Sequence, residues 1–162
     1  MAVYSVKQIL NAAVAVGSEV TVRGWVRNRR DSKAGLSFVS ISDGSCFDAI
    51  QVVAEANLSN YTSEILNLTK DCAIIAHGTL VASQGGGQKF EIQASKVEVT
   101  GFVESPDTYP VSPKRHTVEY LREHAHLRIR TNLISSVMRI RNTVSMAIHD
   151  YLQTNGFYWV HT

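Results

Sequence analysis

The feature that most constrains this chain is a change of hydrophobic period partway along it. Between positions 19 and 100 apolar residues recur mostly at every second position, rich in β-branched types and broken by glycines. Between 117 and 155 they recur at every third or fourth. Period two sends alternate side chains to opposite faces of a strand, whereas a spacing of three and four lines one face of a helix. All three prolines, Pro106, Pro110 and Pro113, fall between these regimes. Proline fixes φ and has no backbone N–H to donate, so 104–116 is expected to be an extended linker. A β domain over 1–103 and a mainly α part over 117–162 should flank it.

The β region divides into five predicted strands, at about 19–29, 36–43, 46–54, 72–83 and 89–99, with a short helix near 60–68. Asp43-Gly44 predicts a tight hairpin between the second and third strands. The triplet Gly85-Gly86-Gly87 marks the tip between the fourth and fifth. Five strands with one helix between the third and fourth is the element order of an all-β OB-fold barrel, a fold that binds oligonucleotides on its strand face and loops. In the α region Leu133, Val137, Ile140, Val144, Ile148 and Tyr151 form one apolar stripe. Thr131 or Asn132 suits the start of that helix and Gly156 its stop. Phe157 to Val160 reads as the beginning of a strand. A long amphipathic helix and half a strand cannot bury themselves, so the remainder of their domain is expected beyond Thr162.

Alternation assigns the faces of the barrel. With Val20, Val22, Gly24 and Val26 inward, Arg23, Trp25, Arg27 and Arg29 point out. Inward Val39 and Ile41 send Phe38 out, and inward Ile50 and Val52 send Gln51 out. Phe90, Ile92 and Ala94 inward leave Lys89, Glu91 and Gln93 outside. An exposed aromatic is a platform on which an unpaired base can stack. Arginines neutralise phosphate, and an amide or carboxylate reads the edge of a splayed base. Each residue also has an ordinary use: Phe38 belongs to the core if its strand shifts register, Gln51 and Glu91 suit any solvent face, and the arginines suit a solvated rim. Gly85-Gly86-Gly87-Gln88-Lys89 lacks the ending of a phosphate loop and joins two strands, which makes it a flexible hairpin tip.

A net charge of +2 implies no nucleic acid by itself. The two cysteines, Cys46 and Cys72, have no metal-ligand spacing and suit free thiols. No leader pattern or membrane-length apolar run occurs, which predicts a cytoplasmic protein without membrane contact.

The run Val22-Arg23-Gly24-Trp25-Val26-Arg27-Asn28-Arg29-Arg30-Asp31, with Leu36-Ser37-Phe38, resembles the anticodon-binding barrel of the class IIb aminoacyl-tRNA synthetases. Within that class, Ser32-Lys33-Ala34-Gly35, Asp43-Gly44-Ser45-Cys46 and Phe90-Glu91-Ile92-Gln93-Ala94 are similar to the bacterial asparaginyl-tRNA synthetases. So are Pro106-Asp107-Thr108-Tyr109-Pro110, Glu119-Tyr120-Leu121-Arg122 and His126-Leu127-Arg128 in the hinge. The resemblance covers essentially the whole chain. It implies binding of the tRNA-Asn anticodon loop. Phe38 would stack on the central uridine, Gln51 would bond its edge, Glu91 would address the first base, and Arg30 would contact the loop beside the basic Arg27 and Arg29. Strict alternation turns Arg30 away from Arg29, so that role needs a bulge or a strand end. The resemblance also makes 117–162 the start of a class II catalytic domain, with the helix over 133–151 as a homodimer surface. Catalysis, ATP and Mg²⁺ would belong to motifs of the parent enzyme that this chain lacks, so no catalytic, cofactor or metal residue is assigned. Two other readings remain open: a free-standing OB-fold binding single strands without base preference, and a protein-interaction module built on the apolar helix.

Overall fold

The computed structural model describes residues 2–161 and divides into two compact units, one up to Ser112 and one from Pro113. The first unit contains β1 (Ala2–Val3), α1 (Val6–Leu10), β2 (Glu19–Ser32), β3 (Leu36–Ser42), β4 (Ile50–Glu55), β5 (Ala73–Ala82) and β6 (Phe90–Gly101). Strand order is β1-β2-β3-β4-β6-β5, and β5 returns to pair with β2, so β2 to β6 close a five-stranded barrel. Among the described residues closure leaves no free edge except where β1 adds in parallel to β2. The core is aliphatic: Val20, Val22, Val26, Val39, Ile41, Ile50, Val52, Ile74, Leu80 and Ile92 are all essentially buried.

Two glycines let the strands turn the corners of so small a barrel. Gly24 lies where β2 passes from β5 to β3, and a Cβ there would sit 2.6 Å from the Ser42 carbonyl oxygen. At Gly78, beside a register shift between β5 and β6, a Cβ would stand 2.0 Å from the Gln93 carbonyl oxygen. Neither site has room for any side chain.

Several sequence expectations are corrected. Helix α1 was not foreseen, although Ser5-Val6-Lys7-Gln8 carries its signature. Ser5 Oγ accepts from the Gln8 N–H at 3.2 Å while Gln8 Oε1 accepts from the Ser5 N–H at 2.9 Å, a reciprocal capping box. Asp43-Gly44 does not form a two-residue hairpin. Asp43 instead accepts from the Val6 N–H at 2.9 Å and from the Ser45 N–H at 2.9 Å, and β4 starts only at Ile50. The expected helix near 60–68 is a series of turns with one 3-10 turn, Ile65–Asn67. Residues 157–160 form no strand, since nothing pairs with them among the described residues.

The unit boundary falls inside the proline segment. That segment is not uniformly extended: the Thr108 N–H bonds the Ser105 carbonyl at 3.2 Å, Val111 is fully buried, and Lys70 Nζ donates to the Val111 carbonyl. In the second unit, α2 (Val118–Glu123) is capped by Thr117 and α3 (Asn132–Thr154) by Thr131, whose Oγ1 accepts from Ile134. No residue of α3 is buried, and its stripe lies open, with Ile140 at 64% and Tyr151 at 69% exposure. No described helix is long and apolar enough to cross a membrane.

Candidate nucleic-acid interface

The site begins with a bulge. Along β2, Val26 pairs with Ile41 of β3, but the next register partner of β3 is Asn28, with Ser40, so Arg27 is the extra residue. A bulge of this kind exchanges the faces of everything that follows. Arg29 comes to lie opposite core-facing Val39, and Arg30 opposite Phe38.

This overturns the expected placing of Arg29. Its side chain is largely covered and makes structural bonds: Nη1 donates to the carbonyls of Ile65 at 2.9 Å and Leu68 at 3.2 Å, and Nε pairs with Asp31 at 3.2 Å. Those carbonyls stand at the start and the end of the 3-10 turn, so Arg29 pins the β4–β5 connection to the barrel. Asp31 in turn accepts from Ser37 Oγ at 2.7 Å, and that hydroxyl lies 3.0 Å from Tyr61 Oη. Arg27, at the bulge, does not line the groove described next, and neither do Arg23 and Trp25.

Beyond the bulge, the outer surface of β2, β3, β4 and β6 presents two registered rows. One runs Asn28, Ser40, Gln51, Glu91, and the other Arg30, Phe38, Val53, Gln93. The second row, with Gln51 and Glu91 of the first, floors an open groove of about 670 Å³, walled on one side by Asp31, Leu36 and Glu55 and on the other by Gln84, Gly85, Gly86 and Gln88. Phe38, Gln51, Glu91 and Arg30 are thus brought together. Arg30 Nη2 reaches Gln51 Oε1 at 3.5 Å, and Gln51 Nε2 donates to Glu91 Oε2 at 3.2 Å. Glu91 stands on the outer face yet is only 9% exposed, because Ser83 and Gln88 close over it.

The charge of the groove differs from what a basic face would give. Arg30 is its one cation among the described lining residues, against Asp31, Glu55 and Glu91. Lys33 and Lys89 stand exposed in the turns that border it. Such a surface repels a phosphate chain from its floor and suits groups with hydrogen-bond donors and flat apolar faces, which unpaired bases have. Sequence reasoning missed the wall made by Gln84 to Gln88. The glycine triplet suggested only a mobile tip, and the one available signal was the flanking pair of glutamines, whose amides suit base edges.

The chain has counterparts among known proteins. Residues 20–100 match the model of the tRNA anti-codon family, described as an OB-fold nucleic acid binding domain. Over 162 residues the chain is 60% identical to the asparagine–tRNA ligase of Xylella fastidiosa, covering all of this chain and 35% of the relative. The corresponding ligase of Legionella pneumophila is 59% identical over 160 residues, covering 99% of this chain and 34% of the relative. In three dimensions the chain resembles the asparaginyl-tRNA synthetase of Pyrococcus horikoshii with a TM-score of 0.78 and 26% identity, over 90% of this chain and 34% of that one. The chain therefore spans about a third of the length of these relatives. With half of its length inside the matched family model and the barrel closed in that fold's strand order, the chain belongs to the family of OB-fold nucleic acid binding domains of the tRNA anti-codon type.

Proposed function

We propose that this chain is the anticodon-binding region of an asparagine–tRNA ligase and reads the splayed bases of the tRNA-Asn anticodon in the groove over β3, β4 and β6. Phe38 stacks on the central uridine and Gln51 hydrogen-bonds its edge. Glu91 accepts from the first base, and Arg30, set beside Phe38 by the bulge, contacts the same loop. Phosphates are met by the lysines of the bordering turns. The observation that carries this reading is the meeting of an aromatic ring, an amide and a carboxylate in two adjacent registered rows, with Gln51 bonded to Glu91 at 3.2 Å. Similarity of about 60% to curated asparagine–tRNA ligases supports the choice of tRNA. Activation of asparagine with ATP and Mg²⁺ belongs to the whole ligase, and no residue here is assigned to it. In the same reading residues 117–162 open the class II catalytic domain, and the exposed stripe of α3 is a surface covered by a second copy.

Titration of the chain with an anticodon stem-loop carrying GUU, beside one with the central uridine replaced, tests the reading at two salt concentrations. The expected result is a preference for GUU lost in Phe38→Ala, since stacking on an aromatic ring is worth about 1–3 kcal/mol per base. Equal and salt-sensitive binding of both loops would leave only a charged surface and defeat the proposal.

A further inference from the structure

Glu91 is held in an unusual way for a groove carboxylate. Three neutral donors converge on one of its oxygens, Oε2: Gln51 Nε2 at 3.2 Å, Ser83 Oγ at 3.1 Å and Gln88 Nε2 at 3.3 Å. Among the described residues no donor reaches the other oxygen, Oε1, and no cation pairs with the group. Gln51 belongs to the barrel floor, but Ser83 and Gln88 belong to the β5–β6 hairpin. They are tied to each other, Gln88 Nε2 donating to Ser83 Oγ at 3.1 Å, and that hydroxyl also accepts from the Gly85 N–H at 3.1 Å. A hairpin with three successive glycines would otherwise be free to wander. Here it is anchored, and its anchor is the carboxylate.

We infer that Gln88, acting with Ser83, is a positioning residue that fixes the Glu91 carboxylate so that Oε1 alone faces the ligand and selects a guanine over an adenine at the first anticodon base. The inference rests on the anticodon reading above and adds the hairpin to it. An ionised carboxylate only accepts, and each oxygen has about two lone-pair sites. With three donors already on Oε2, that oxygen is saturated, and a base must meet Oε1. Guanine presents N1–H and N2–H donors on its Watson–Crick edge, both directed at such an acceptor. Adenine presents the N1 lone pair there, which the carboxylate repels. A carboxylate free to rotate could offer either oxygen or turn aside, and the discrimination would weaken.

Binding of the full chain to anticodon stem-loops with guanine or adenine at the first position, and with uridine or cytidine at the second, tests this directly. Gln88→Met keeps the volume and removes the donor, and Ser83→Ala removes the other hairpin donor. Both variants should lower the guanine-over-adenine preference about tenfold, the scale of one hydrogen bond to a charged group. The uridine-over-cytidine preference should stay as in the unsubstituted protein, even where loss of a bond to the nearly buried carboxylate lowers the unfolding midpoint. An unchanged first-base preference overturns the inference while leaving the anticodon reading intact. So does an equal fall at both positions, since Gln88 would then merely support the barrel. Absence of any preference in the unsubstituted chain would defeat the anticodon reading itself.

Discussion

The two ends of β6 carry two carboxylates that are satisfied in opposite ways. Glu98, on the side of the barrel away from the groove, pairs with a lysine and a histidine: Lys96 Nζ at 2.7 Å and His77 Nε2 at 3.3 Å, with His77 Nδ1 held in turn by Thr21 Oγ1 at 2.9 Å. Glu91, at the groove end, is held among the described residues only by neutral amides and a hydroxyl. Neutral donors orient a carboxylate without cancelling its charge, whereas a lysine largely cancels it. One strand thus bears a neutralised glutamate and a poised one. The difference separates a group used to hold the protein together from one left able to interact with something else.

The sharpest way to break the comparison is to disrupt the strand between its two ends. Gly78 of β5 pairs with Ala94 beside the register shift, and a Cβ would lie 2.0 Å from the Gln93 carbonyl oxygen. Backbone cannot yield as a flexible side chain does. Gly78→Ala is therefore expected to cost about 3 kcal/mol or more, the upper range for overpacking, measured as a fall in the denaturation midpoint. A variant as stable as the unsubstituted protein would show that β6 does not cross β5 as tightly as described.

A second comparison, between Arg29 and Arg30, tests the bulge that builds the groove. Arg29→Ala leaves the carbonyls of Ile65 and Leu68 without their donor and should cost about 2 kcal/mol of stability. Arg30→Ala removes an exposed side chain whose bond to Gln51 is long at 3.5 Å. It should leave stability within about 0.5 kcal/mol, as surface substitutions do, and weaken stem-loop binding instead. The two effects would be interchanged if the strand ran without the bulge.

These neighbours also mark how far the sequence could be read. Alternation sufficed for Phe38, Gln51 and Glu91, because β3, β4 and the start of β6 are regular and Val39, Ile41, Ile50, Val52 and Ile92 fix which face of each strand is inward. It failed at Arg29, because no local pattern announces that Arg27 is an extra residue. The bulge arises where β2 leaves β5 for β3, a feature of closure rather than of the strand itself. The resemblance to synthetases, by contrast, favoured Arg30 in the site against strict alternation, and Arg30 does line the groove. The short helix over 60–68 failed for a related reason. Its carbonyls are bonded by a distant arginine and Asn60 by the Val97 carbonyl, so tertiary partners replaced a helical ladder. The hairpin wall escaped notice because glycines report conformational freedom, not what a fold does with it.

The smallest expected effect sharpens the contrast at the neutralised end of β6. The Lys96 ammonium, bonded to Glu98 and close beside it, holds the Glu98 carboxyl below the ordinary value of 4.5, and His77 adds to this. A carboxyl depressed in the folded state stabilises the protein above its unfolded value and ceases to do so as pH falls through the depressed one. Because the pair is solvent-exposed, the contribution is small and screened by salt. The stability difference between the protein and Glu98→Gln should therefore be present at pH 7, shrink as pH drops below 4.5, and narrow further in high salt. Stem-loop binding should not change in that variant, whereas Glu91→Gln should lose its first-base preference with no comparable loss of stability. If Glu98→Gln disturbed binding as much as Glu91→Gln, the two ends of β6 would not be functionally distinct, and the poised carboxylate would lose its special place.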